Sequence, residues 1–391
     1  MEIWKLSQVC DINPKKTVPL SPDTIITFIP MESVSTTGFV DYSQTISVSS
    51  IKSYSVFKND DVLFAKITPC MENGKGAIVS NLLNGYGAGS TEFIVLRPHL
   101  EQITCEWLFY FLSQKAFRLQ CQGNMTGSAG QKRVPAKYLS ECTIPVPPLH
   151  EQQRIVARIE ELFSQLDAGV ETLKKTKHQL EVYRQAVLKE AFDSCETAEN
   201  LGALCKHITD GEHQPPPKSE AGIPFVMISN IENNTINWNN TAFVGEEYYD
   251  NIDLKRRPKK GDVLYTVTGS FGIPICVDFD KKFCFQRHIA LLRPNDHIDQ
   301  KYLFYALQEP NVYLQAKQKA TGTAQKTVGL GVLRTIKVPF TTSYEKQKRI
   351  VADIESKLSC CENITNTISE SLLSTSCIRE SILKQAFEGG L

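Results

Sequence analysis

With 391 residues the chain exceeds what one hydrophobic core usually organises, so at least two domains are expected. At 41% hydrophobic and 22% charged it has an ordinary globular composition, and the absence of any run of about 18 apolar residues excludes a membrane-spanning helix. Lys plus Arg equals Asp plus Glu at 43 each, so any affinity for nucleic acid has to come from local clusters and not from net charge.

The chain starts MEIWKLSQVC, without the basic flank and apolar stretch of a secretory signal, and a cytoplasmic location is expected. The twelve cysteines form no C-x-x-C pair and have no histidine at zinc-ligand spacing, so reduced, mostly buried thiols and no metal are expected. Residues 1–148 carry short β-rich runs (VLFAKI, GAIVSN, STEFIVLRP) and then an amphipathic helical stretch with aromatic core residues, TCEWLFYFLSQKAFRLQCQ. Pro147 and Pro148 end an extended segment, and a long helix is expected over 149–194. Residues 195–343 repeat the β-rich pattern with GDVLYTVTG and HIALLRP, and a second long helix is expected over 344–391. Each globular part reads as α+β.

The two halves are copies. RIVARIEELF at Arg154 returns as RIVADIESKL 195 residues later, and LKEAF/LKQAF, TGSA/TGTA, LFYFL/LFYAL and LSQVC/LGALC keep the same spacing. Between these anchors the register drifts: DVLF at Asp61 pairs with DVLY at Asp262, and LRP at Leu96 with LRP at Leu292, so one variable region per copy absorbs the difference. In the first long helix Ile155, Ile159, Leu162, Leu166, Leu173, Leu180, Tyr183 and Val187 occupy alternating steps of three and four, with Gly169, Thr176 and Glu190 as gaps. Ile350, Ile354, Cys361, Ile364, Ile368, Ile378 and Ile382 do so in the second. Each stripe needs covering, either by the helix's own globular part or by the other helix.

Catalytic motifs are missing from the sequence. There is no phosphate loop, H-E-x-x-H, G-x-S-x-G or dinucleotide fingerprint, and no N-P-P-Y or D-P-P-Y tetrapeptide of an adenine methyltransferase. What remains is a set of polar loops. AKITPCMENGKGA places Lys66, Thr68, Asn73 and Lys75 around Pro69 and Gly74, a mixture suited to base edges and phosphates. TVTGSFG places Thr268, Ser270 and Phe271 at the corresponding point of the second copy, and CFQRHIA adds Gln286, Arg287 and His288. KRRPKK, with Lys255, Arg256, Arg257, Lys259 and Lys260, is the densest positive cluster. TGSAGQKR offers Ser128, Lys132 and Arg133, and TGTAQK offers Thr323, Gln325 and Lys326.

The segment TGSAGQKRVPAKYLSECTIPVPPLHEQQRIVARIEELFSQLD resembles the end of a target recognition domain running into the conserved helix of a type I restriction-modification specificity subunit, and the resemblance extends over essentially the whole chain to ILKQAFEGGL. The second copy, IKVPFTTSYEKQKRIV, departs from that pattern in lacking the double proline. The resemblance implies two globular target recognition domains in tandem, separated by two long conserved helices forming an antiparallel coiled coil with internal pseudo-twofold symmetry. It also implies double-stranded DNA as ligand, with two methylation subunits and, in the full complex, restriction subunits as partners. AdoMet, ATP and Mg²⁺ would belong to those partners, so the chain itself needs no cofactor. The helix-stripe residues are expected to hold the helix pair and the partner assembly. Two copies with similar helices and dissimilar globular parts also point independently to a bipartite, asymmetric site whose spacing the helices set. Two other readings stay open: an assembly protein spacing two protein-binding domains, and an enzyme with an unrecognised nuclease or methyltransferase site.

Overall fold

The structure is a computed structural model; it describes residues 2–391 apart from Ala129, Glu196, Pro215, Lys218 and Ala324. The chain falls into two compact units, residues 1–173 with 370–391 and residues 174–369. Each unit therefore combines one globular part with a stretch of both long helices.

In the first unit Cys10–Ile12, Phe93–Pro98, Val62–Ala65 and Gly76–Ile78 form an antiparallel four-stranded sheet in that order. A second four-stranded sheet, Gln44–Ser47, Ile25–Ile29, Tyr86–Gly89 and Ser55–Lys58, includes one parallel pairing. In the second unit Cys205–Asp210, Ile289–Pro294, Val263–Thr266 and Pro274–Cys276 repeat the first sheet, and a three-stranded sheet replaces the other. Both units are α+β, as the alternating runs led one to expect.

The drifting anchors DVL and LRP turn out to be two halves of one ion pair. Arg97 grips the buried Asp61 through two bonds of 2.8 Å, and Arg293 grips Asp262 through two of 2.8 Å. Each carboxylate also accepts a main-chain N–H, from Lys58 at 2.8 Å and from Lys259 at 2.9 Å. With its lone pairs so engaged, a buried charge is held in the sheet without being left unpaired.

The long helices, Leu149–Asp193 and Tyr344–Glu388, have 45 residues each. They start 195 residues apart even though the second lacks the double proline. A fully buried glutamine fixes each start. Gln152 accepts from the Thr104 N–H (3.0 Å) and donates to the carbonyls of Gln102 and Pro147 (2.8 Å each). Gln347 accepts from the Asp299 N–H (2.8 Å) and donates to the carbonyls of His297 and Thr341 (2.9 and 2.8 Å).

Both ways of covering the helical stripes occur. Ile155 and Ile159 are buried in the first unit's globular core with Trp107 and Ile144, and Ile350 and Ile354 are buried in the second's with Tyr302 and Val338. Those four positions are thus core residues that a globular part shares with the other helix, whose Ile382 and Leu383 lie in the first core and whose counterparts Val187 and Leu188 lie in the second. Further along, Leu162, Leu166 and Leu173 border a groove of about 450 Å³ facing Ser371, Ile378 and Ile382 of the second helix. Arg379 pairs with Asp167, and Arg154 donates to the Leu391 carbonyl (2.9 Å), so residue numbers rise along one helix as they fall along the other and the segments run antiparallel. In the second unit Arg184 lies 3.7 Å from Glu362, and Lys346 donates to the Ser194 carbonyl (3.0 Å), giving the same sense. Leu180 is half-buried and Ile368 is buried there, but Ile364 is 40% exposed and does not belong to the covered stripe.

The repeated AF motif ends each helix on the other copy's globular part. Phe387 packs its ring 4.4 Å from Trp107 in the first unit, and Phe192 packs 5.3 Å from Tyr302 in the second. All twelve cysteines are free thiols, with only Cys360 and Cys377 exposed; burial pushes Cys10, Cys121 and Cys205 up to about 12. No helix among the described residues is long and apolar enough to cross a membrane.

Candidate nucleic-acid interface

Two loops that lie far apart in sequence meet at the surface of each unit. In the first, the Val134 N–H donates to the Lys66 carbonyl (2.9 Å) and the Thr68 N–H to the Lys132 carbonyl (3.0 Å), while Thr126 and Arg133 exchange both main-chain bonds (3.0 and 2.8 Å). The segments AKITPC and TGSAGQKR therefore form one surface. In the second, the Val328 N–H donates to the Val267 carbonyl (2.8 Å), the Gly269 N–H to the Lys326 carbonyl (3.0 Å), and Thr321 and Thr327 exchange bonds of 2.9 and 2.7 Å. The TG turn needs its glycine in both copies: Gly127 has φ +122 and Gly322 φ +107, and a Cβ there would stand 2.9 Å from the Gln131 carbonyl oxygen and 2.3 Å from that of Gln325.

On this shared backbone the side chains differ. In the first unit Asn73, Ser128 and Lys132 are exposed. Lys66 donates to the Thr91 carbonyl (2.7 Å), Lys75 to the Met31 carbonyl (2.9 Å), and Thr68 to Glu72 (2.7 Å), so those three are partly engaged within the unit. Arg133 is clamped on Glu92, its Nε and Nη2 donating to the carboxylate at 2.8 to 3.1 Å, while Nη1 donates to the Gln131 carbonyl (2.9 Å). Those hydrogen bonds hold Glu92 below the usual carboxylate range against the opposing effect of burial, with Lys66 adding a smaller attraction. Beneath the loop the buried Arg118 donates to the carbonyls of Met71 (2.8 Å) and Gly74 (3.0 Å); burial lowers its pKa to about 10. It braces the turn that displays Asn73.

In the second unit Thr268, Arg287, His288 and Gln325 line a cleft of about 390 Å³ together with Asp210 and His213. His213 Nε2 lies 2.8 Å from Asp210 Oδ2, and Arg256 stands behind the same wall, 3.6 Å from Asp210 and 3.4 Å from Glu212. Gln286 forms a bridge with Glu212 at its edge. Ser270, Thr323 and Lys326 are exposed nearby, and Phe271 stacks on Tyr313 at 5.9 Å. KRRPKK divides by role. Lys255, Lys259 and Lys260 are exposed, whereas Arg257 donates to the carbonyls of Ile252 (2.9 Å) and Asp250 and lies over the Tyr249 ring at 5.0 Å. Arg257 is thus held as a local brace.

Sequence reading missed Glu92, Arg118 and Asp210, and took His213 beside QPPPK for a solvated loop residue. Glu92 stands in STEFIVLRP, read only as a strand, and nothing in the spacing ties it to Arg133, 41 residues on.

A tandem of two α+β units, each combining a globular part with stretches of the same two 45-residue helices and each presenting a polar surface on the same backbone frame, defines a duplicated chain with two unlike polar faces. A family model described as the type I restriction modification DNA specificity domain matches residues 1–182 and 212–374, and the chain belongs to that family. Among similar curated proteins, the type I restriction enzyme EcoAI specificity subunit of Escherichia coli is 38% identical over 210 residues, covering 52% of this chain and 35% of that protein. The EcoEI specificity subunit of Escherichia coli is 34% identical over 207 residues, with 52% and 35% covered, and the EcoBI specificity subunit is 25% identical over 298 residues, with 68% and 62% covered. The matched region thus spans only 35% of the first two relatives. A solved chain described under complex assembly and conformational transition of the type I R-M system superposes with a TM-score of 0.81 at 22% identity, covering 100% of this chain and 98% of that one. The HsdS subunit from Thermoanaerobacter tengcongensis gives 0.63 at 22% identity, with 100% and 97% covered. At this identity the likeness establishes the fold.

Proposed function

We propose that the chain is the non-catalytic, sequence-reading subunit of a cytoplasmic type I restriction-modification complex, and that it binds an asymmetric, bipartite double-stranded DNA site. Residues 1–148 and 195–343 act as the two target recognition domains, and the helices over 149–194 and 344–391 space them and carry two methylation subunits, with restriction subunits joining in the full assembly. Methyl transfer and cleavage, with AdoMet, ATP and Mg²⁺, take place in those partners. The observation that carries this reading is the repeated backbone frame, 66–68 laced to 132–134 and 267–269 laced to 326–328, bearing different polar side chains in the two copies. One frame with two chemistries suits two different half-sites. Lys132, Lys255, Lys259 and Lys260 serve the phosphates, while Asn73, Thr268, Gln286, Arg287 and Gln325 face base edges.

The test is selection of a randomised duplex library by the full chain over a series of salt concentrations. A two-block motif, with Lys132→Ala weakening all sequences alike and lowering the salt slope by about one, supports the reading. Binding without sequence preference, or none, favours the assembly-protein alternative.

A further inference from the structure

The first unit fills with an ion pair the position that the second leaves as an open cleft. The Lys66 N–H donates to the Glu92 carbonyl and the Val267 N–H to the His288 carbonyl, both at 2.9 Å, so residues 92 and 288 are equivalent. Arg133 and Thr327 are equivalent too, each exchanging main-chain bonds with the threonine of its TG turn. The side chains at these two positions differ in kind. Glu92 is locked to Arg133, while His288 borders the cleft and Thr327 donates to the Thr268 hydroxyl (3.2 Å).

We propose that Glu92 and His288 determine specificity at corresponding points of the two half-sites, Glu92 selecting a base that presents an exocyclic amine in the major groove, with Arg133 as its positioning residue. This rests on the reading of the units as DNA readers. An ionised carboxylate only accepts, so it suits the amine of cytosine or adenine and rejects the acceptor atoms of guanine. The arginine fork fixes the carboxylate's orientation and offsets its charge against the phosphates. Nε and Nη2 donate to Glu92 and Nη1 to the Gln131 carbonyl, so the fork of Arg133 is aimed at Glu92. The imidazole of His288, which donates or accepts according to tautomer, reads by other rules, and the half-sites differ accordingly.

The experiment repeats the library selection with the full chain and with Glu92→Gln, Arg133→Lys and His288→Ala, after checking that each variant retains a cooperative melt. Glu92→Gln adds a donor and should reduce discrimination at one base pair by about tenfold, leaving the other half-site unchanged. Arg133→Lys, which keeps the charge and loses the fork, should act at that same base pair and add little to Glu92→Gln. His288→Ala should act only in the other half. If Glu92→Gln leaves every position of a clear wild-type motif unchanged, or alters both halves, the assignment is overturned while the DNA reading stands. If the wild type selects no motif, the DNA reading fails and the assignment fails with it. A variant that only lowers the melting temperature, with the motif intact, reduces Glu92 to a structural ion pair and also overturns it.

Discussion

Replacing Gln152 by alanine tests how each long helix is fastened to its globular part. The carboxamide is fully buried and serves three main-chain groups: the N–H of Thr104 and the carbonyls of Gln102 and Pro147. Truncation strands all three, and each unsatisfied buried group costs about 1 to 3 kcal/mol unless water enters the space left behind. With partial rescue by water a net loss of about 3 kcal/mol is expected, which for a unit of this size lowers its transition by roughly 6 to 12 °C. Gln152→Glu should do no better, because a carboxylate keeps the acceptor and loses both donated bonds. Gln347→Ala should produce the same effect in the second unit, through Asp299, His297 and Thr341. Calorimetry resolves the transitions, and hydrogen exchange at the Thr104 and Asp299 amides assigns each to its unit. Variants melting within about 1 °C of wild type, with the Thr104 amide still protected, would refute the fastening role.

The crossed aromatic ends give a second expectation: Phe387→Ala should cost about 3 to 5 kcal/mol in the unit built on Trp107, and Phe192→Ala a similar amount in the unit built on Tyr302, read as loss of exchange protection confined to that unit. Protonation of Glu92 should loosen the loop frame of the first unit, where the second has His288 in its place. Glu92 is held below its unfolded value, so its contribution is present above the ordinary carboxylate range and is lost as pH falls through the lowered folded value; below about pH 4 protection at Thr68 and Val134 should drop, while that at Gly269 and Val328 should not. Matched insertions of four residues, after Leu173 in the first helix and before Glu370 in the second, should lengthen both by about 6 Å and move the half-sites apart by close to two base pairs of about 3.4 Å, with the bases read unchanged in library selection.

The duplication was fully legible, because a backbone frame that recurs needs the same glycines, caps and core residues at the same spacing: helix starts at Leu149 and Tyr344 and turns at Gly127 and Gly322 follow it directly. Periodicity said that Ile155 and Ile159 face something apolar but not what, since a stripe buried in a globular core and a stripe on a partner helix have the same period. Ile364 fits the period and is exposed all the same. The loops at 66–75 and 126–133 were each visible as polar turns, and only the fold brings them together. Glu92 and Asp210 were hidden for a related reason, since a carboxylate at a strand end is commonplace until the arginine that grips it, Arg133 or Arg256, is seen beside it.

Co-expression of the chain with the methylation subunit proposed as its partner in a methylation-free host, followed by methylome sequencing, addresses the two-reader account most directly. Methylated sites should share two unlike specified blocks separated by a spacer of fixed length and free sequence, and Asn73→Ala should alter one block alone. A single contiguous motif, a palindromic one, or methylation that persists unchanged without the chain would contradict it.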